Sequence, residues 1–343
     1  MAHPALVDRL GTWYHHAQRD LPWRRTRDPW AIWVSEVMLQ QTRVEAVRDA
    51  WTQFVARFPA PAAFAAASDD DLLSAWRGLG YYRRARFLRE AARRVADEYD
   101  GIVPRDAATF GALPGVGEYT KGAVLSIAFD TPLPAVDGNV ERVVTRLLAL
   151  DGDPRRQPVA ARLREFVGEL HQTSQPGMVN QALMELGATV CTPKKPRCLV
   201  CPWHDDCAAR LRGEVERWPM TKPRPKPIDI TTKVCVARHG DRVLCRRIPA
   251  GEVNEGQLCL PGLGLPVPVS DDLAAHVAGL GLRGRLGPHL LTVRHSITRY
   301  RIRVEVYSFA VDGIGEELLW EHPKNSDLPF STVARKVLSK LPD

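Results

Sequence analysis

The sequence predicts two domains of different class: an all-α domain carrying a cysteine loop, then an α+β domain. Three observations predict this: helical periodicity from Pro4 to about Val190, a proline-rich break from Trp218 to Pro227, and period-two alternation after it. With 343 residues and 45% hydrophobic side chains, each half is long enough to bury its own core.

Asp28-Pro29 pairs a helix cap with a proline at the first helical position, and Trp30, Trp33, Val34, Val37 and Met38 then recur at helical spacing. That helix is expected to end near Gln41. Thr42-Arg43-Val44-Glu45 has the form of a capping box that starts another helix at once, so Gln40-Gln41 stand at a corner from which a residue can project. Further helices are expected over Arg83–Tyr99, Thr120–Phe129, Val140–Leu150, Val159–His171 and Gly177–Val190. From Trp218 to Pro227, four prolines and three cations fall in ten residues, which neither a packed helix nor a central strand tolerates. The expected division is therefore 1–213, a linker over 214–227, and 228–343. Beyond the linker, Arg301, Arg303 and Glu305 alternate with Ile302, Val304 and Val306, as in a half-buried strand. Thr231–Arg238, Arg242–Arg247 and His289–Val293 also read as strands, and Asp271–Leu280 and Ser331–Leu341 as helices.

The longest apolar stretches, such as Pro61 to Ala67 and Val124 to Phe129, fall far short of the ~18–20 residues that span a bilayer, so no membrane segment is expected. A net charge of +7 favours a polyanionic partner. Met1 to Asp20 is polar and charged, without the apolar core of a secretion signal, so a reducing, cytoplasmic setting is expected, with free thiols rather than disulfides.

Four of the seven cysteines, Cys191, Cys198, Cys201 and Cys207, fall within seventeen residues with the spacing C-x6-C-x2-C-x5-C. One CxxC pair with an outlying cysteine on each side suits a four-thiolate [4Fe-4S] cluster, with zinc as the less fitting occupant. Cys235, Cys245 and Cys259 lack ligand-like spacing and read as buried thiols in a sheet.

Leu113-Pro-Gly-Val-Gly117 opens directly into a helix beginning Glu118-Tyr119-Thr120-Lys121. Backbone N–H groups at Gly115 and Gly117 can approach a phosphate there, because glycine puts no side chain in the way. About twenty residues on, Val136-Asp137-Gly138-Asn139-Val140 places a carboxylate at the next helix start. With the cysteine loop, this constellation resembles the helix-hairpin-helix DNA glycosylases that carry an iron–sulfur cluster. Leu21-Pro-Trp-Arg24, Ser35-Glu-Val-Met-Leu-Gln-Gln-Thr42, Gly78-Leu-Gly-Tyr-Tyr82 and Asn180-Gln-Ala-Leu-Met-Glu-Leu-Gly187 narrow the resemblance to adenine DNA glycosylases of the MutY type.

Breaking an N-glycosidic bond requires a proton for the departing purine and stabilisation of an oxocarbenium-like sugar, a task suited to two carboxyl groups. Glu36, behind an apolar segment, suits the general acid, since desolvation would keep it protonated. Asp137, at a helix N-terminus, suits the ionised group that stabilises the sugar cation or attacks it transiently. The resemblance implies the same roles, with the glutamate protonating adenine at N7, and implies that Tyr119 and Asn139 orient the site. It further implies that Gln41 and Tyr81 enter the duplex when the base leaves it, and that Trp23, Arg24, Leu39, Val44 and Gln181 line the adenine pocket. Ordinary core packing would equally account for Trp23, Leu39 and Val44, and is open for Tyr81. Arg83, Arg84, Arg86, Arg89, Arg93 and Arg94 follow on one helix, some to meet phosphates and most as a solvated face.

The second domain resembles the Nudix-like C-terminal domain of this family. Asp271–Gly281 holds two aspartates and no glutamate, so pyrophosphatase chemistry is not expected. The family reads 8-oxoguanine through an H-x-F-S-H loop, where this chain has His295-Ser-Ile-Thr-Arg299. Thr298 then takes the place of the hydroxyl that reads the lesion, and Arg299 adds a cation near a phosphate. The resemblance as a whole implies a monofunctional, monomeric base-excision enzyme that removes adenine opposite 8-oxoguanine or guanine in double-stranded DNA. An endonuclease III-like lyase would use a lysine where Tyr119 stands, while Lys121 lies about 200° further round the helix. A thymine mismatch glycosylase would share the tyrosine but normally lacks the second domain. A non-catalytic DNA-binding cluster protein would have no use for the intact pair Glu36 and Asp137.

Overall fold

The computed structural model describes residues 4–172, 174–221, 225–252, 254–263, 272–297 and 299–341. They form two units, the first of Met1–Ala67 with Gly78–Pro223, the second of Ser68–Arg77 with Arg224–Asp343.

The first unit is helical. Its Pro29–Leu39 helix starts as the sequence requires, with Asp28 accepting from the Trp30 N–H and Pro29 in the first turn. From Trp30 to Met38 every side of it is buried, so it is a central helix with no solvent face. It packs on Glu118–Phe129, which in turn packs on Pro176–Thr189; Gly138–Leu148 lies against the latter helix too. Gly187 permits that last approach, because a Cβ there would stand 2.5 Å from the Asn139 Cβ.

Three expectations change. The Thr42–Glu45 capping box does not form: Arg43 is the cap and makes no side-chain bond, while the Thr42 hydroxyl donates to the Leu79 carbonyl at 3.2 Å. The Thr42 hydroxyl satisfies a turn distant in sequence rather than the local helix. The linker expected from 214 begins inside the first unit instead. Trp218 is 1% exposed, and Arg146 Nε donates to its carbonyl. Thirdly, the units are not contiguous in sequence, because the short helix Asp69–Ala75, closed by a Ser68/Asp71 capping box, groups with the second.

In the second unit, Tyr300–Gly313 is the central strand of three, parallel to Ile228–Val236 and antiparallel to Arg283–Ile297. Arg242–Arg247 centres a second sheet, pairing with residues 238–239, 258–259 and 318–321. Alternation sends Val234 and Val236 to one core beside Ala334 and Val337, and Cys235 and Ala237 to another beside Leu273 and Val277. The long strands exceed the expected 289–293 and 301–306. Register shifts between Leu286 and His289 and between His289 and Leu291 interrupt the alternation there. Thr298 lies outside the described residues. Arg299 sits at the hairpin, its guanidinium 5.4 Å from the Tyr300 ring centre. Among the described residues, no helix is long and apolar enough to cross a membrane.

Candidate functional site

A cavity of about 760 Å³ opens in the first unit, with Glu36, Tyr119 and Asp137 on its wall. Glu36 reaches it from the central helix and is only 6% exposed. Tyr119, in the first turn of the helix opened by the glycine turn, donates its hydroxyl to Glu36 Oε2 at 2.7 Å. Burial pushes the Glu36 carboxyl up to about 7; the tyrosine hydrogen bond opposes that rise, and the Asp137 charge adds to it. Burial, with both carboxylates nearby, holds the Tyr119 hydroxyl well above 10, so it stays a donor.

Asp137 caps Gly138–Leu148, its Oδ1 accepting from the N–H groups of Asn139 and Val140 at 2.9 and 2.8 Å. Its Oδ2 accepts from the Asn139 side-chain amide at 2.8 Å. Burial raises its carboxyl above the ordinary value, against those hydrogen bonds and the Arg142 charge. A buried carboxyl group and a partly buried one with unequal partners can hold one proton between them, with Glu36 the natural holder.

Of the residues expected around a base, Trp23, Arg24, Leu39, Val44 and Gln181 all line the cavity, and so do Gln41, Gly115 and Gly117. Gly115 adopts φ +75°, and a Cβ there would stand 2.8 Å from Phe87, so this turn requires glycine. Trp23 also packs edge-on to Trp51 at 6.0 Å, so it serves the core as well. Tyr81 is not on the cavity wall; it stands 50% exposed on the turn before Arg83–Glu98. Lys121 pairs with Glu118 at 2.8 Å and does not line the cavity. In the arginine-rich helix, Arg84 and Arg89 turn inward rather than to solvent, Arg89 donating to the Ala67 carbonyl.

Sequence reasoning missed three members of the site, Glu185, Arg19 and Arg142. Glu185, fully buried, receives Arg24 Nη2 at 2.7 Å and Arg19 through Nε and Nη2, both at 2.8 Å. Burial alone would raise Glu185, but the two arginines hold it down to about 2. Arg142 donates to the Asn139 side chain at 2.9 Å, to the Gly187 carbonyl at 2.8 Å and to the Cys191 carbonyl at 2.6 Å. The cysteine loop is thereby tied to the residue that orients Asp137. Spacing from Asn139 to Arg142 along one helix was the only sequence signal for this contact.

Cys191, Cys201 and Cys207 pack on the helical core, and Trp203 between them donates its ring N–H to the Leu6 carbonyl at 2.8 Å. Backbone N–H groups of Trp203 and Arg210 point at the Cys201 and Cys207 sulfurs, and Arg146 donates to Cys191 Sγ at 3.4 Å. Donors aimed at sulfur suit thiolates carrying the negative charge of a cluster. As a free thiol, Cys201 is pushed up to about 12 by burial, so it needs a metal to ionise. Among the described residues, no three His, Cys, Asp or Glu side chains converge on a single ion.

Residues 34–169 match the HhH-GPD superfamily of base excision DNA repair proteins, and residues 191–207 the iron–sulfur binding domain of endonuclease III. Adenine DNA glycosylase of Rattus norvegicus is 47% identical over 212 residues, covering 59% of this chain and 41% of the rat protein. The chain thus spans less than half the length of that relative. The adenine DNA glycosylase of Mycobacterium tuberculosis (strain CDC 1551 / Oshkosh) is 44% identical over 205 residues, 60% of this chain and 67% of that protein. A solved thermostable thymine-DNA glycosylase superposes with a TM-score of 0.55 at 28% identity, over 60% of this chain and 95% of its own. The Glu36–Tyr119–Asp137 site, the cysteine loop and the identity over two thirds of the mycobacterial protein agree: the chain belongs to the adenine DNA glycosylase family.

Proposed function

We propose that this protein removes adenine from double-stranded DNA in which it is mispaired with 8-oxoguanine or guanine. The observation that carries this reading is the protonatable Glu36, hydrogen-bonded to Tyr119 in a cavity it shares with Asp137. Extruding the base costs roughly a few kcal/mol of stacking, and Gln41 and Tyr81 would fill the gap. Inside the cavity, Glu36 passes its proton to adenine N7, which makes the base a neutral leaving group. Asp137 stays ionised and stabilises the sugar cation through Oδ2, which Asn139 orients, until water adds to the sugar carbon and yields its proton to the Glu36 carboxylate. Tyr119 holds Glu36 in place, and because it is no amine the enzyme forms no Schiff base with the sugar.

Cys191, Cys198, Cys201 and Cys207 would hold a [4Fe-4S] cluster, which when bound supplies a rigid charged loop rather than a reacting centre. The second unit, read as Nudix-like, would examine the opposite base with Thr298 and Arg299. The protein would act as a monomer in a reducing cytoplasm.

Single-turnover excision on duplexes carrying A:8-oxoguanine, A:G, T:G and oxidised pyrimidines tests this. Adenine release, fastest opposite 8-oxoguanine and without borohydride-trapped adduct, is expected. Release of oxidised pyrimidine without adenine would move the protein to the lyase class.

A further inference from the structure

Gln41 and Tyr81 share an unusual backbone: both lie in the left-handed region, at φ 57° and 46°, although neither is glycine. Such strain persists only where the surroundings over-determine it, and it is frequent where geometry serves function. One side chain grips both turns. Arg84 Nη1 donates to the Val37 and Met38 carbonyls at 2.6 and 2.9 Å, in the last turn of the helix that carries Glu36. Arg84 Nη2 donates to Thr42 Oγ1, next to Gln41, at 3.0 Å, and to the Leu79 and Gly80 carbonyls, next to Tyr81, at 3.1 and 3.2 Å. The guanidinium also stands 5.7 Å from the Tyr81 ring centre.

We infer that Arg84 is a positioning residue that locks the Gln41 and Tyr81 turns into one rigid wedge beside the cavity. This rests on the base-flipping reading above and adds a residue through which the wedge acts. The planar fork is what the job requires, because it serves acceptors on two turns and a helix end at once. Lysine keeps the charge but reaches such divergent acceptors with a single nitrogen. Burial lowers Arg84 to about 10, which leaves it charged at neutral pH. These acceptors lie on the wedge turns and the helix end, not on the carboxyl groups of Glu36 or Asp137, so Arg84 acts on extrusion of the base and not on bond cleavage.

The test compares two duplexes that differ only in what faces the target adenine: a paired 8-oxoguanine, or an abasic-site analogue that leaves the adenine already unpaired. Arg84→Lys and Arg84→Gln are measured under single turnover, each normalised to wild type on the same duplex. Excision from the paired duplex is expected to fall about 10–100-fold, the scale of a misplaced positioning group. Loss on the unpaired adenine should stay within about threefold, with the midpoint of the pH profile unmoved. Combining Arg84→Lys with Tyr81→Ala should cost little beyond Tyr81→Ala alone, since the two act as a unit. Equal losses on both duplexes, additive losses in the double variant, or unchanged excision from the paired duplex would each overturn the inference. Arg84→Lys keeps the experiment decisive if Arg84→Gln does not fold. Wild-type protein that releases adenine from neither duplex would remove the proposed function and this inference together, an outcome distinct from failure of the variants alone.

Discussion

Tyr119 and Glu36, 83 positions apart in the chain, meet through a 2.7 Å hydrogen bond whose donor is the tyrosine. That bond favours the ionised carboxylate while burial favours the acid, and burial wins, leaving Glu36 at about 7. A general acid works only in its protonated form. Excision should therefore be level just below about pH 7, decline about tenfold per unit above it as the protonated fraction of Glu36 falls, and decline again at acid pH where Asp137 gains a proton. Glu36→Gln should still bind DNA and lose about 10²–10⁴-fold in rate. A rate that rises through pH 7, or near wild-type excision by that variant, assigns the acid elsewhere.

Tyr119→Phe removes the hydrogen bond that pulls Glu36 down. The midpoint of the pH profile should then move upward by about 1–2 units, taking a hydrogen bond to a charged group as ~1.5–3 kcal/mol. A midpoint that moves downward would show that Tyr119 does not donate to this carboxylate.

Glu185 is the counter-charge for two arginines on the cavity wall. Glu185→Gln leaves them without it and should destabilise the fold by about 3–5 kcal/mol in urea unfolding. Glu185 titrates near 2 when folded, below its ordinary 4.5, so its stabilisation is present above the ordinary value and lost as pH falls toward 2. The gap between wild type and variant should narrow on acidification. A gap independent of pH would mean the loss is packing and not charge.

Purified protein should be brown, with iron and sulfide near four each per chain if the cysteines hold a [4Fe-4S] cluster. Cys201→Ala should lose iron, because its sulfur packs on the helical core, and with it the folded Cys191–Cys207 loop and tight DNA binding. Colourless anaerobic protein with stoichiometric zinc would reject the iron–sulfur assignment.

Arg299 stands exposed over Tyr300 at the hairpin. Arg299→Ala should weaken binding to lesion-containing and ordinary mismatched duplexes alike, and reduce the salt slope by about one unit. A loss confined to the lesion duplex would make it a base reader instead.

Much was written in local sequence. Asp28-Pro29 starts its helix, the Leu113–Gly117 turn opens another, and the cysteine spacing marks the loop, because caps, glycine turns and ligand spacing act within a few residues. The family segments also carried Glu36 and Asp137, the two carboxyl groups that meet at the cavity. Other features depended on distance in the fold. Thr42 looked like a cap because its neighbours have the right types, yet its hydroxyl goes to Leu79, 37 positions away. Arg84 looked like a member of a solvated helix face and Arg142 carried no signal of its own, and only packing reveals that each bridges several segments. Glu185 reads as one more helical glutamate until Arg19 and Arg24 arrive from the other end of the unit. The sequence alone determined that helices follow Asp28-Pro29 and the Leu113–Gly117 turn and where the cysteine loop lies. The tertiary structure decided which charges are buried together, because desolvation and long-range pairing exist only once distant segments share one interior.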